Sequence, residues 1–239
     1  MAAQQLIDGV RAQLARVSAV PPAGAHDAPW PGAIVVGAGL LIGLVAWLGG
    51  RGLLAIGVAP AIAGVVAVAL GIAAGAAVVE RGLAAALDRW LGGRWSPIAT
   101  GGTLMLRVIA LWSTAPAWWL AALVVPAGLG RLAAVGLQRL GDVSPAPDGR
   151  SLVIGTVGTV ELAFATLVII ALASLAAGGL GAATVGVAVV IAIVLGLSLQ
   201  LGEGALTADS LAVVAAAIEL VGAVGFAAIA PAGQSPFTR

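Results

Sequence analysis

Ala182–Gln200 reads AATVGVAVVIAIVLGLSLQ, an apolar run without one charged side chain. A helix needs about 20 such residues to cross a hydrocarbon core of about 30 Å, and this stretch meets that length. On either side lie two more apolar runs, Leu152–Ala177 and Leu211–Ala230, each with a single Glu. Towards the N-terminus come Gly32–Gly50, with Trp30 and Trp47 near its ends, and Leu53–Val79, with Pro60 in its first turns. Tryptophan rings favour the headgroup layer, and proline is tolerated at the start of a helix or kinks it. Between Gly101 and Leu140 the apolar character is interrupted by Pro116 and Pro126, so one broken helix or two short spans fit. Arginines decide between them. Arg81, Arg89 and Arg94 precede this region and Arg131, Arg139 and Arg150 accompany or follow it. If both groups face the cytoplasm, two crossings are required between them, Ile98–Ala115 and Ala117–Gln138, with Arg107 and Arg131 near or inside the membrane. The expected count is about seven, with the N-terminus inside.

Composition supports the same solvent. Of 239 residues, 61% are hydrophobic and 9% are charged, and the mean hydropathy is +1.14. A soluble domain carries about 25% charged residues, because its exterior must be covered by polar groups. Lipid imposes no such demand. A membrane barrel would need short segments of alternating polarity, which are missing here. The expected fold class is therefore all-α: a polytopic integral membrane helical bundle with about seven transmembrane helices. Residues 1–29 form an N-terminal interfacial segment, 30–231 the transmembrane domain and 232–239 a C-terminal tail.

The chain has no Cys, which removes disulfides, thiolate metal sites and cysteine nucleophiles, and one His, which cannot make a multi-histidine metal site. His26, next to Asp27 between two Pro-containing stretches, reads as a linker residue. All 11 basic residues are arginines scattered over the chain, a pattern of GC-rich coding rather than of a nucleic-acid surface. Near the N-terminus Leu6, Val10, Leu14 and Val17 share a helical face, and Arg11 and Arg16 can meet lipid phosphates, so an interfacial helix ending at Pro21-Pro22 is expected rather than a signal peptide. The Gly39/Gly43 and Gly71/Gly75 spacings place small residues on one helix face, which lets helices approach closely in lipid.

Ionisable groups at membrane depth or at its edge are costly, so each is a candidate site. The densest set is Glu80, Arg81, Asp88, Arg89 and Arg94, just after the second span. On a helix Arg81 and Asp88 share a face. Such a group can hold a phosphate or a phosphate-bound magnesium ion, or it can simply anchor a helix end at the interface. Glu161 falls within the Leu152–Ala177 run, where a bond to a neighbouring helix and a substrate or proton role both stay open. Glu219 sits in the last span in the same way, and Thr207 or Asp209 is placed to cap that helix.

These stretches, in this order, resemble the cobalamin synthase family, the membrane adenosylcobinamide-GDP ribazoletransferases. Ala19-Val20-Pro21-Pro22-Ala23-Gly24 is similar to the family's opening Pro-rich turn. Arg81-Gly82-Leu83-Ala84-Ala85-Ala86-Leu87-Asp88-Arg89 resembles its D-G-L-A-D-x-x-D-G loop, with Arg81 and Ala85 standing where two aspartates would be. Trp95-Ser96-Pro97-Ile98-Ala99-Thr100-Gly101-Gly102 resembles D-S-R-I-G-T-Y-G, matching at Ser96, Ile98, Thr100 and Gly102. Pro126 to Arg131 looks like its P-A-L-G-R helix, and Ser144 to Gly149 like the loop after it. Gly204-Ala205-Leu206-Thr207-Ala208-Asp209-Ser210-Leu211 is similar to G-G-V-T-G-D-V-L, with Ile218-Glu219-Leu220 like the I-E-L that follows.

The resemblance implies a multi-pass protein of the bacterial inner membrane that joins adenosylcobinamide-GDP to α-ribazole or its phosphate and releases GMP with Mg²⁺. On the matching positions it assigns Asp88 and Glu80 to catalysis and Asp88 and Asp209 to the metal. Arg81, Arg89, Arg94, Ser96 and Arg131 would bind the corrinoid nucleotide and ribazole substrates. The lost carboxylates at Arg81, Ala85 and Trp95 point instead to an inactive relative serving as a membrane scaffold, in a homo-oligomer or with other membrane subunits. Glu161 and Glu219 suggest a small-solute transporter, although no internal repeat with paired broken helices is visible.

Overall fold

The computed structural model describes residues 2–18, 30–93, 95–144, 152–154 and 156–230, with side chains from residue 7 onward. Its named elements are all helical: α1 (Ala2–Val17), α2 (Pro31–Ala55), α3 (Pro60–Ala74), α4 (Val78–Leu91), α5 (Ser96–Trp112), a 3₁₀ turn (Pro116–Trp118), α6 (Trp119–Leu140), α7 (Thr159–Glu203) and α8 (Ala208–Ile229). Proline opens α2 and α3 and stands in the first turn of α5, where its missing N–H costs nothing. Thr207 caps α8: its hydroxyl accepts from Ser210 N, and the Ser210 hydroxyl accepts from Thr207 N. The all-helical class holds, and the capping role expected of Thr207 is the one seen.

Four helical stretches are long and apolar enough to cross a membrane: Pro31–Ala55, Pro116–Leu140, Thr159–Glu203 and Ala208–Ile229. The pair α3 and α4, bent by 85°, makes a fifth if counted as one span. By that measure the expected seven is not reached. The run Leu53–Val79 does not form one helix. α2 continues to Ala55, and α3 ends at Ala74 in a turn where Ala76 and Ala77 have φ of 51° and 52°. Non-glycine residues seldom adopt that left-handed region, and two in succession redirect the chain into α4.

The run Leu152–Ala177 also begins later than its hydropathy suggests. Residues 152–154 and 156–158 are not helical, and Gln138 holds the first of these stretches by donating to Leu152 O and accepting from Ile154 N. The helix that follows has 45 residues, about 67 Å if it were straight. It is not straight, since Ala177 and Gly178 leave helical geometry and Gly178 takes a φ of 59°. A Cβ on Gly181 would fall 2.0 Å from Ala173 O, and Leu162, Thr166, Ala188 and Ala192 line one groove. The two limbs therefore fold back on each other.

α6 lies at the centre, packed on α2, α7 and α8. The Gly39/Gly43 spacing makes the first of these contacts possible. A Cβ at either position would lie 2.5 Å from a carbonyl oxygen of α6, Ala127 O for Gly39 and Leu123 O for Gly43. One end of the bundle gathers the start of α2 with that of α7, the ends of α4, α6 and α7, and the starts of α5 and α8, as contacts of Gly32 with Glu161, Gly141 with Gln200, Ser96 with Ala84 and Arg89 with Asp209 require. The opposite end joins Trp112 to Ala61 and Ala115 to Ala230. Leu41, Leu48, Ile62, Leu167, Leu175, Val190, Val194 and Leu201 face outward. An exterior of that kind is compatible with a lipid bilayer.

Candidate functional site

The charged groups sort into two regions. The first is at the rim, where α4 ends beside the α7–α8 junction. Gly82 sits so close to α8 that a Cβ there would meet Ala212 Cβ at 2.4 Å, and this contact brings the following turns of α4 over the start of α8. Arg89 reaches Glu203 at 3.4 Å and Asp209 at 3.5 Å, with its side chain 45% exposed. Trp90 Nε1 donates to Glu203 Oε1 at 2.9 Å, while Glu203 Oε2 accepts from the Ser210 hydroxyl at 3.0 Å. Glu203 thus ties α4, α7 and α8 together.

The second region is inside the bundle. Arg107 on α5 bridges two carboxylates, Glu80 on α4 at 3.1 Å and Glu219 on α8 at 2.9 Å. Arg131 on α6 donates to the other oxygen of Glu219 and to Ala127 O. The result is an electrically neutral quartet of two guanidinium groups and two carboxylates, all largely buried. Gly130 makes room for it, because a Cβ there would lie 2.6 Å from Glu219 Cγ. Pairing of this kind is what lets charge persist in an apolar interior, since an isolated buried ion is prohibitively costly. Beside the quartet lies a partly open cavity walled by α2, α3, α4, α5, α6 and α8 and lined by all four of its residues.

The structure divides the set of residues expected at one site. Glu80 and Asp88 are about 12 Å apart along α4. Glu80 turns inward to Arg107, whereas Asp88 is exposed and has no side-chain partner among the described residues. Arg81 is also exposed, and its Nε donates to Ala77 O at 3.3 Å. Arg89 and Asp209 are brought together, but as an ion pair. Ser96 is buried, and its hydroxyl donates to Ala84 O at 3.0 Å, fastening the start of α5 to α4 instead of facing the rim. Arg131, expected to bind phosphate, is 4% exposed and belongs to the inner quartet. Arg94, His26, Asp27 and the loop 145–150 lie outside the described residues.

Glu161 needs the clearest correction. Expected within an apolar span with a bond to a neighbouring helix as one of two open roles, it makes that bond but from the first turn of α7, where its carboxylate accepts from Gly158 N at 2.6 Å and from Gly32 N, in the first turn of α2, at 3.3 Å. One carboxylate serves the amino ends of two helices, where unpaired N–H groups and the helix dipole favour an anion. Glu203 carried no expected role, and Arg107 and Glu219 were not assigned to the site. The signal for the last two is plain in hindsight: an ionisable residue in an apolar run demands a partner, and these two have opposite charge.

Comparison with protein-family models, with curated proteins and with solved structures yields no match.

Proposed function

We propose that the chain is a multi-pass membrane protein of the cobalamin synthase type, with its rim cluster at the cytosolic face of a bacterial inner membrane. The observation that supports this reading is convergence. Stretches resembling that family's motifs, Arg81–Arg89, Trp95–Gly102 and Gly204–Leu211, are far apart in sequence yet meet at one end of the bundle through Arg89 with Asp209, Gly82 with Ala212 and Ser96 with Ala84. Arg89 and Arg139 lie towards this end while Arg51 lies towards the other, which the positive-inside rule reads as cytosolic and external. On this reading there are seven crossings: α2, α3 with α4, α5, α6, the two limbs of α7, and α8.

The reaction proposed is the transfer of an adenosylcobinamide phosphoryl group from its GDP adduct to α-ribazole or its phosphate, with release of GMP. Arg89, exposed at the rim, supplies positive charge to the diphosphate, and Arg81, also exposed, stands about 12 Å back along α4. The donors for Mg²⁺ are sparse. Asp88 is a carboxylate without a partner among the described residues, and Asp209 would have to leave Arg89 first. One carboxylate fits Mg²⁺ where substrate phosphates and water complete the octahedron, and the ion when bound would offset charge on the diphosphate. A second reading rests on Arg89, which stands next to Asp88 in sequence and engages both Asp209 and Glu203. A cation fixed among the carboxylates in this way is the arrangement of an inactive relative acting as a membrane subunit or scaffold.

A ribazole-transfer assay in membranes with Mg²⁺ separates the two. The transferase reading expects product from the native chain and loss of nearly all of it in Asp88→Ala. No product from the native chain, together with stable co-purification of other membrane proteins, establishes the scaffold reading in its place. An unchanged rate in Asp88→Ala rejects the assigned site.

A further inference from the structure

α5 is built with its polar side turned in and its apolar side turned out. Ser96 donates to Ala84 O, and Arg107, the only ionisable residue between Ser96 and Trp112, pairs with Glu80 and Glu219. Thr103 closes its own hydroxyl on Ala99 O. On the other side Trp95, Ile98, Gly102, Met105, Ile109 and Trp112 follow one another at steps of three or four residues, which makes a single stripe along a helix. Every one of them is exposed, Ile98 at 64% and Met105 at 56%. A bundle solvated by water would turn such a stripe into its core. Lipid chains accept it on the outside, because they are as apolar as the side chains themselves.

The ends of the stripe give its height. Trp95 is the residue before α5 and Trp112 its last, and they are 58% and 42% exposed. An indole ring has an apolar body and one N–H, and it favours the headgroup layer. Trp112 is held at its end of the bundle by the bond from its Nε1 to Ala61 O. The 17 residues of α5 rise about 25 Å, against about 30 Å for an average hydrocarbon core. Trp30, the residue before α2, and Trp47 are separated in sequence by the same interval as Trp95 and Trp112. A helix that is too long can tilt, whereas one that is too short cannot lengthen, so the lipid has to adjust to it. We propose that the outer face of α5 is a lipid-contact surface about 25 Å high, bounded by Trp95 and Trp112, which favours bilayers of short acyl chain and thins a thicker one beside it. This needs the bundle to cross a bilayer and is independent of the transferase reaction.

The chain has no Cys, so single nitroxide labels can be placed on the full protein. Ile98→Cys, Met105→Cys and Ile109→Cys sample the stripe, while Gly93→Cys and Ser113→Cys, both exposed, lie just beyond the two tryptophans and leave them intact. In dioleoyl phosphatidylcholine vesicles, power-saturation spectra should show oxygen access highest at Met105 and falling towards both ends. A water-soluble nickel chelate should reach only the labels at Gly93 and Ser113. The unfolding temperature of the unmodified chain should fall from dimyristoleoyl to dioleoyl to dierucoyl phosphatidylcholine, by about 4 °C or more in all. A nickel chelate that reaches Met105 would mean that this face meets water. Labels closed to both oxygen and nickel would mean that protein covers it, as a second copy seated at Gly101-Gly102 would. Either result overturns the proposal, and so does an unfolding temperature that is flat or highest in the thickest bilayer.

Discussion

The rim and the inner quartet are built from the same side chains, arginine with glutamate or aspartate, and differ in what surrounds them. Arg89 at the rim is 45% exposed, and the side chains of Glu203 and Asp209 are 17% and 32% exposed. In the quartet no side chain exceeds 15%. Exposed pairs are screened by water and salt and contribute about 0–1 kcal/mol. Losing one partner of a buried pair strands the other charge and costs about 3–5 kcal/mol. The quartet therefore reads as a part of the bundle that cannot be altered piecemeal, while the rim can exchange partners. Under the transferase reading, the surface that releases Asp209 and accepts a diphosphate is of the second kind.

The largest effect should follow from Glu219→Ala, which removes the carboxylate shared by Arg107 and Arg131. Unfolding in detergent should show a loss of about 3–5 kcal/mol. A loss below about 1 kcal/mol would erase the distinction between the two regions. Next comes the close approach that holds α2 on α6 beside the quartet. Gly43→Ala places a methyl group 2.5 Å from Leu123 O, with backbone on the other side and no flexible neighbour to yield. Overpacking of this sort should cost about 1–3 kcal/mol. The smallest effect is expected at the rim, where Arg89→Ala should change stability by at most about 1 kcal/mol, less still at high salt. Under the transferase reading, that same substitution should weaken binding of the nucleotide substrate.

Much of this was legible in the residues. Apolar run length located α2, α6, α7 and α8, and the Gly39/Gly43 spacing marked a close-packing face, whose partner, α6, the structure supplies, because small side chains on one face are what close helix packing requires. What escaped was backbone geometry. Hydropathy cannot distinguish one span from two helices joined at a left-handed turn, so the bend at Ala76-Ala77 was invisible, as was the late start of α7, where Gln138 takes the place of helical hydrogen bonds. Glu161 was misread for the same reason: once the helix begins at Thr159, a carboxylate inside an apolar run becomes a carboxylate at a helix start. The site fared similarly. Arg89 and Asp209 were named but expected as ligands, whereas they face each other. Arg107 and Glu219 were each seen as ionisable groups in apolar runs, yet their pairing depends on how α5 and α8 cross, which lies beyond any local pattern.

The proposed function requires the bundle to cross a bilayer with the rim on the cytosolic side, and the absence of Cys makes this directly measurable. Asp88→Cys at the rim and Ile56→Cys at the opposite end, where Ile56 is 77% exposed, give two single-cysteine chains to be treated with a membrane-impermeant maleimide in intact cells and in inverted vesicles. The result expected is labelling of Ile56→Cys in intact cells only and of Asp88→Cys in inverted vesicles only. Labelling of both from one side, or in the reverse order, would contradict the assignment on which the proposed function rests.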